Sequence, residues 1–265
     1  RHLEKIYPVS PVAIPLLIIE ATTRGKMYSL GCWENLSEAP YSVDKNIFTI
    51  DQIPVSVDED GCLLGLPMGA VPSAMAYKRE LTKEYFGTDD PTELAEMFSS
   101  WDAYIEKGIE VLNKSNGEIK MFAGLSDLYN VLAGQTILPF TIGDKLNIET
   151  SLKPILEQLI EFKKSGIVDT LEEGSPALMA SYADDKHIFY PCAQWSPRWV
   201  LKPNDSRVGA WGLTELAGGA VNWGGGVYAI PKDAQNKEGA FAVIKWLTMN
   251  PESAVVRRDK LEVFC

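Results

Sequence analysis

Histidine is scarce in this 265-residue chain, which has only His2 and His187. A Ser-His-Asp or Cys-His constellation would have to be built on one of these two. His187, beside Asp184 and Asp185, reads as part of a solvated polar turn. The sequence holds no Gly-x-Ser-x-Gly elbow and no His-Glu-x-x-His pair, so neither a nucleophile-elbow hydrolase nor a helix-borne catalytic zinc is supported. The cysteines, Cys32, Cys62, Cys192 and Cys265, lack any Cys-x-x-Cys spacing, which removes the common zinc and thioredoxin-type signatures. Free thiols and disulfides both stay open. No metal or cofactor is expected.

Positive charge is also in short supply. Lys and Arg number 25 against 36 Asp and Glu, a net charge of -11, which argues against nucleic acid or an anionic membrane surface as a partner. No apolar run approaches the roughly 18 residues that span a bilayer. The longest, Ala13 to Ile19, is broken by Pro15 and suits a buried strand. A signal peptide is not visible, and a mature chain would have lost one. The chain opens on Arg1-His2-Leu3-Glu4 and closes on Val263-Phe264-Cys265 without tail-like composition, so a fragment or a chain with missing segments is expected. Glycines are present, but in the wrong order for a nucleotide loop. Asn222-Trp223-Gly224-Gly225-Gly226 precedes the apolar run Val227 to Ile230, whereas a phosphate loop comes after a strand and opens a helix.

What is there reads as an α/β protein with an ample core, since 46% of residues are hydrophobic and 23% charged. Strands are expected at Leu16 to Ile19, Cys62 to Pro67, Ala74 to Tyr77, Ile188 to Tyr190 and Val227 to Ile230. Helices are expected over Thr92 to Phe98, Ser100 to Leu112, Leu125 to Leu132 and Leu152 to Lys164, the last stopped by Gly166. Ala240, Val243, Ile244 and Leu247 form the stripe of a further amphipathic helix that ends before Pro251.

The aromatics carry the strongest functional signal. Trp195, Trp199, Trp211 and Trp223 fall in segments rich in Pro, Gly and Asn. Indole faces suit the apolar faces of sugar rings, while neighbouring Asn, Gln, Asp and Arg satisfy hydroxyls, which is the make-up of a ligand cleft. Trp195 and Trp223 are read as cleft residues. Trp199 and Trp211 lean toward core, and Trp101 and Trp246, at helical spacing, are read as core. Paired carboxylates for glycoside hydrolysis cannot be located by spacing, so a carbohydrate-active enzyme stays open.

Four segments, in order, resemble the extracellular solute-binding proteins of carbohydrate ABC transporters, the family 1 group that includes maltose-binding protein. They are Asp60-Gly61-Cys62-Leu63-Leu64-Gly65-Leu66-Pro67; Ala76-Tyr77-Lys78-Arg79-Glu80-Leu81; Pro91 with, further on, Ser100-Trp101-Asp102-Ala103-Tyr104; and Gly225 to Lys232 with the helix to Asn250-Pro251-Glu252. The resemblance implies a two-lobed periplasmic-binding-protein-like fold with hinge strands and ligand held between the lobes. It implies a first lobe of residues 1–76 and 224–250 and a second of 77–223 and 251–265. Such proteins carry a strand, a helix and a second strand ahead of the segment matching Leu16 to Ile19; Tyr7-Pro8 to Ile14 suits the second strand, but the helix that should follow it is missing before Pro15-Leu16.

On this reading the chain binds a sugar or oligosaccharide outside the cytoplasm, in the periplasm or at the cell surface as a lipoprotein, and passes it to ABC permease subunits without chemistry. It is expected to be monomeric, touching membrane only through a lipid anchor outside this sequence. Trp195 and Trp223 are the expected stacking platforms. Asn222, Gly224 and Gly225 would offer polar atoms and close backbone approach, Tyr77 and Arg198 hydrogen-bond donors, and Trp33 and Tyr129 further aromatic surface. Alternatives are a hydrolase using two carboxylates, or the same fold holding a polyamine or peptide.

Overall fold

The structure is a computed structural model, and residues 15–48 and 52–261 are described. The Tyr7 to Ile14 strand, His2 and Cys265 lie outside the described residues. In chain order the strands are β1 (Leu17–Glu20), β2 (Leu66–Pro67), β3 (Ser73–Lys78), β4 (Lys120–Phe122), β5 (Thr141–Ile142), β6 (Lys145–Leu146), β7 (His187–Ala193), β8 (Trp211–Thr214) and β9 (Gly226–Ala229). The main helices are α1 (Arg24–Tyr28), α2 (Arg79–Phe86), α3 (Pro91–Met97), α4 (Trp101–Lys114), α5 (Ser126–Gln135), α6 (Lys153–Ser165), α7 (Pro176–Ser181), α8 (Lys237–Met249) and α9 (Pro251–Leu261). The chain divides into two compact units, one running through Ala70 and resuming at Gly224, the other Val71–Trp223.

The first unit is built on a three-stranded antiparallel sheet, ordered β1-β9-β2. Gly224 and Gly225, at φ 88° and 92°, take the left-handed backbone that a side chain resists and deliver the chain into β9. Gly65 meets a different demand. A Cβ there would sit 2.6 Å from Val227 Cγ2, so only glycine lets this segment approach β9. Helix α8 buries Ala240 and Ile244 against Leu63, Leu66 and Ile230, while Val243 and Trp246 stay exposed. Trp246 is therefore a correction to its core reading, because α8 is apolar on more sides than one layer covers.

Pro251 does end α8, and it also begins α9. Proline is tolerated in the first helical turn, where its missing N–H costs nothing, and the Asn250 side chain accepts from Glu252 N at 2.8 Å. Arg257 donates to Met68 O at 2.7 Å, and α9 groups with the first unit rather than with the second, where the family resemblance would put it. The division also falls between Ala70 and Val71 rather than after residue 76.

The second unit carries a four-stranded mixed sheet, ordered β4-β7-β3-β8. β4 and β7 are parallel, and β3 is antiparallel to both β7 and β8. Its helices start where the local chemistry says they should. Asp90 caps α3 by accepting from Thr92 N and Glu93 N, Ser100 caps α4 through Ala103 N, and Gly166 ends α6 at φ 79°. Each satisfied cap is worth about 1 kcal/mol. The core is unusually aromatic: Tyr77, Phe98, Tyr104, Phe122, Phe162 and Phe189 are fully buried, and several meet edge to face at 4.9–5.8 Å between centroids.

Candidate functional site

The sheet of the second unit has two unlike edges. At one, β3 ends and β4, β7 and β8 begin; at the other, β3 begins and the other three end. The first edge is closed by charge. Lys78 Nζ is buried, donates to Ser181 O at 2.9 Å and to Asp184 O, and lies 5.5 and 5.6 Å from the Tyr190 and Trp211 ring centroids. Burial pulls its ammonium down to about 8, against the pull of Asp184. His187, read from sequence as solvated, is instead 2% exposed and hydrogen-bonds Asp169 Oδ2 through Nε2 at 3.0 Å. That correction has two causes: Lys120 pairs with the same carboxylate at 3.1 Å, and the strand itself carries the ring inward. Asp169 is held down to about 2 by its hydrogen bonds from His187, Thr170 N and Lys120, which outweigh its partial burial.

This edge ties the strand starts of the unit together. Among the described residues, Nδ1 of His187 has no hydrogen-bond partner, and no serine, threonine or cysteine side chain is hydrogen-bonded to the imidazole. Among the described residues no cluster of His, Cys, Asp and Glu could hold a metal ion, and Cys32, Cys62 and Cys192 are free thiols.

The opposite edge is where the tryptophans gather. Val71-Pro72-Ser73 leads into β3 and is gripped from both sides. Gln194 N donates to Pro72 O at 2.9 Å, Ser73 N to Val221 O at 2.9 Å, and Trp223 N to Val71 O at 2.8 Å. Asn222 Oδ1 accepts from Val71 N at 3.0 Å. The backbone leading to Trp195 and that carrying Trp223 therefore grip opposite flanks of one segment. Ser196 Oγ accepts from Ala193 N at 3.1 Å, a tight closure after β7 that leaves Trp195 38% exposed. Next comes a π-helical turn, Pro197–Leu201, carrying Trp199 at 60% exposure and the Arg198 guanidinium 5.0 Å from the Trp199 ring. Trp199 thus belongs with the exposed aromatics and not with the core. A depression of about 470 Å³ opens beside Ser73, lined also by Thr92, Thr214, Glu215 and Gly219.

The expected site residues fall into three groups. Trp195, Arg198, Asn222 and Trp223 share this edge, with Trp223 half-buried against the core. Tyr129 is exposed on α5, the helix next after β4, and Gly224 and Gly225 belong to the first unit. Tyr77 and Trp33 are corrections. Tyr77 is 0% exposed, its hydroxyl donates to Asp89 O at 2.7 Å, and its ring fills the room left by Gly212. Trp33 is 2% exposed and donates from Nε1 to Met27 O at 2.6 Å. Trp211 is half-buried, with Nε1 donating to Asp205 Oδ2 at 2.9 Å, and Trp101 packs on the core as expected.

One edge residue was not visible from sequence. Asp127, in the first turn of α5, is half-buried, and burial together with nearby Glu173 raises its carboxyl to about 7. The signal that would have found it is its place just past the strand-like Met121-Phe122-Ala123-Gly124, since ligands of α/β sheets gather beyond the carboxyl ends of strands.

The model of a family described as bacterial extracellular solute-binding protein matches residues 14–255. No curated protein matches the sequence. A solved extracellular solute-binding protein of family 1 is similar at TM-score 0.82 and 20% identity, over 94% of this chain and 65% of the other. The sugar-binding protein MalE of Xanthomonas citri gives 0.75 and 16%, again over 94% and 65%. The galacto-N-biose/lacto-N-biose I-binding protein of the Bifidobacterium longum ABC transporter, solved with lacto-N-biose, gives 0.71 and 17%, over 89% and 59%. At such identities these likenesses establish the fold, and the chain spans about two thirds or less of those proteins' length.

Proposed function

This chain belongs to the bacterial extracellular solute-binding protein family, and from that premise we propose that it binds a sugar or oligosaccharide outside the cytoplasm for delivery to an ABC permease. Binding involves no chemistry: the ligand's differential affinity favours one arrangement of the protein over others. The observation that carries the reading is the edge of the second unit, where Trp195 and Trp199 are exposed beside polar backbone and Trp223 flanks the same segment. Exposed indoles in a tightly hydrogen-bonded frame suit sugar faces, because the surface is ordered before the ligand arrives. The lacto-N-biose held by one structural neighbour accords with that chemistry. Trp195 and Trp223 are the stacking surfaces, Arg198 and Asn222 the adjacent polar groups, and Tyr129 a further aromatic. Among the described residues no helix is long and apolar enough to cross a membrane.

A thermal-shift screen of the full-length protein tests this, with mono- and oligosaccharides set against polyamines, amino acids and short peptides. A ligand at a hundred times its Kd stabilises by about 2.7 kcal/mol, an ample shift to read. Stabilisation by saccharides is the expected result; stabilisation by polyamines or peptides alone would overturn the sugar assignment.

A further inference from the structure

We infer that Gln135 is a positioning residue for this edge: its side-chain amide seats the turn 216–219 and so sets where Asn222 and Trp223 meet the ligand. The inference rests on the sugar-binding reading and adds to it a residue that itself touches no sugar.

Gln135 is the last residue of α5, and its side chain reaches three distant groups. Nε2 donates to Ala217 O at 2.7 Å and to Gly219 O at 2.8 Å, while Oε1 accepts from Trp101 Nε1 at 3.2 Å. An indole N–H only donates and a carbonyl only accepts, so one orientation of the amide serves all three. Between the two carbonyls lies Gly218, at φ 76°. A Cβ on it would stand 3.0–3.2 Å from the amide, so the amide lies close against bare backbone. Gly219 N donates to Leu216 O at 3.0 Å, which closes a tight turn whose third residue takes the left-handed conformation that glycine supplies. Trp101 is itself fixed, against Tyr104 and Phe162 of the core.

The residue before Gln135 presses on the same run. A Cβ on Gly134 would sit 2.9 Å from Val221 Cβ, so only glycine lets α5 approach this closely. Val221 is held from its other side by Ser73: its O accepts from Ser73 N at 2.9 Å and Ser73 Oγ at 3.0 Å, and its N donates to Ser73 Oγ at 2.8 Å. Next come Asn222 and Trp223, bound to Val71. The run 217–223 is thus fixed at its start by Gln135 and at its end by the 71–73 segment.

The start is the replaceable anchor. The bond to Gly219 O lies at the exposed surface, where water can stand in for the amide, so the unit folds without it. What goes is the single position of the run. A segment free to wander must be ordered when ligand binds, and that ordering is subtracted from affinity. Loss of these two neutral hydrogen bonds should weaken saccharide binding about tenfold.

The experiment is calorimetric titration of the full-length protein with maltose and lacto-N-biose. Gln135→Met, which keeps the side chain's length and has no N–H, is made in wild type, in Trp223→Ala and in Trp195→Ala. The expected result is a loss of about tenfold in wild type and in Trp195→Ala, but under about threefold in Trp223→Ala, because residues acting through one contact are not additive. Fluorine NMR with fluorotryptophan adds a ligand-free reading: the Trp223 resonance should shift or broaden in Gln135→Met while that of Trp195 stays in place. Should the methionine variant not fold, Gln135→Glu replaces it; its binding should be weak at neutral pH and recover in acid, where the carboxyl regains a donor. An affinity within threefold of wild type overturns the inference, as does an unmoved Trp223 resonance. So does an equal loss in the Trp223→Ala protein, the result expected of a residue that merely stabilises the unit. Each of these leaves the sugar reading standing, since wild type still binds. A wild type that binds neither sugar overturns the inference as stated, and the thermal-shift screen then decides the reading beneath it.

Discussion

Truncating Trp195 separates a ligand surface from a structural one. The indole is 38% exposed, and the turn beneath it is held by backbone and by Ser196, not by the ring. A tryptophan offers on the order of 200 Å² for burial, so a sugar face that covers the exposed share removes roughly 75 Å² of apolar surface from water. At about 25 cal/mol per Å² that is about 2 kcal/mol, or about a thirtyfold rise in Kd for Trp195→Ala. Isothermal titration with the best saccharide from the screen reads the change, and far-UV circular dichroism checks that the fold persists. A Kd within threefold of wild type, with an unchanged spectrum, would refute the argument that this edge stacks on its ligand.

The packing sets three further outcomes. Tyr77→Phe removes the bond to Asp89 O and should cost about 1 kcal/mol in chemical denaturation while saccharide affinity stays at the wild-type value; weakened binding would put Tyr77 back in the site. Gly65→Ala places a Cβ 2.6 Å from Val227 Cγ2 and should destabilise by about 1–3 kcal/mol, seen as a lower denaturation midpoint. His187 has its pKa lowered by burial, against the pull of Asp169. The folded state then binds fewer protons than the unfolded one, so the stability it contributes is present above the ordinary histidine range near 6.5 and is lost as pH falls below it. Denaturation midpoints between pH 5 and 8 should accordingly fall less with acid in His187→Asn than in wild type, and an identical slope in the two would contradict the buried placement.

Much of the fold was legible because it is decided locally. Ser100 before Trp101, Gly166 after α6 and the apolar run before Pro231 announce their elements through capping, left-handed backbone and proline, which act within a few residues. The site was less legible because exposure is decided by distant partners. Tyr77 reads as a hydrogen-bonding aromatic, and only Gly212 on a neighbouring strand turns it into core. Trp246 sits at helical spacing and Trp199 leans toward core by sequence, yet no second layer covers either in the described residues. His187 is pulled inward by a strand and by Asp169, 18 residues away.

The central claim is that the chain binds a saccharide and leaves it unchanged. Prolonged incubation of the full-length protein with the best saccharide, then titration calorimetry and an assay for newly formed reducing ends, tests it most directly. The account predicts saturable binding with the sugar recovered intact. Released reducing ends that grow with time and vanish on heat inactivation would contradict it.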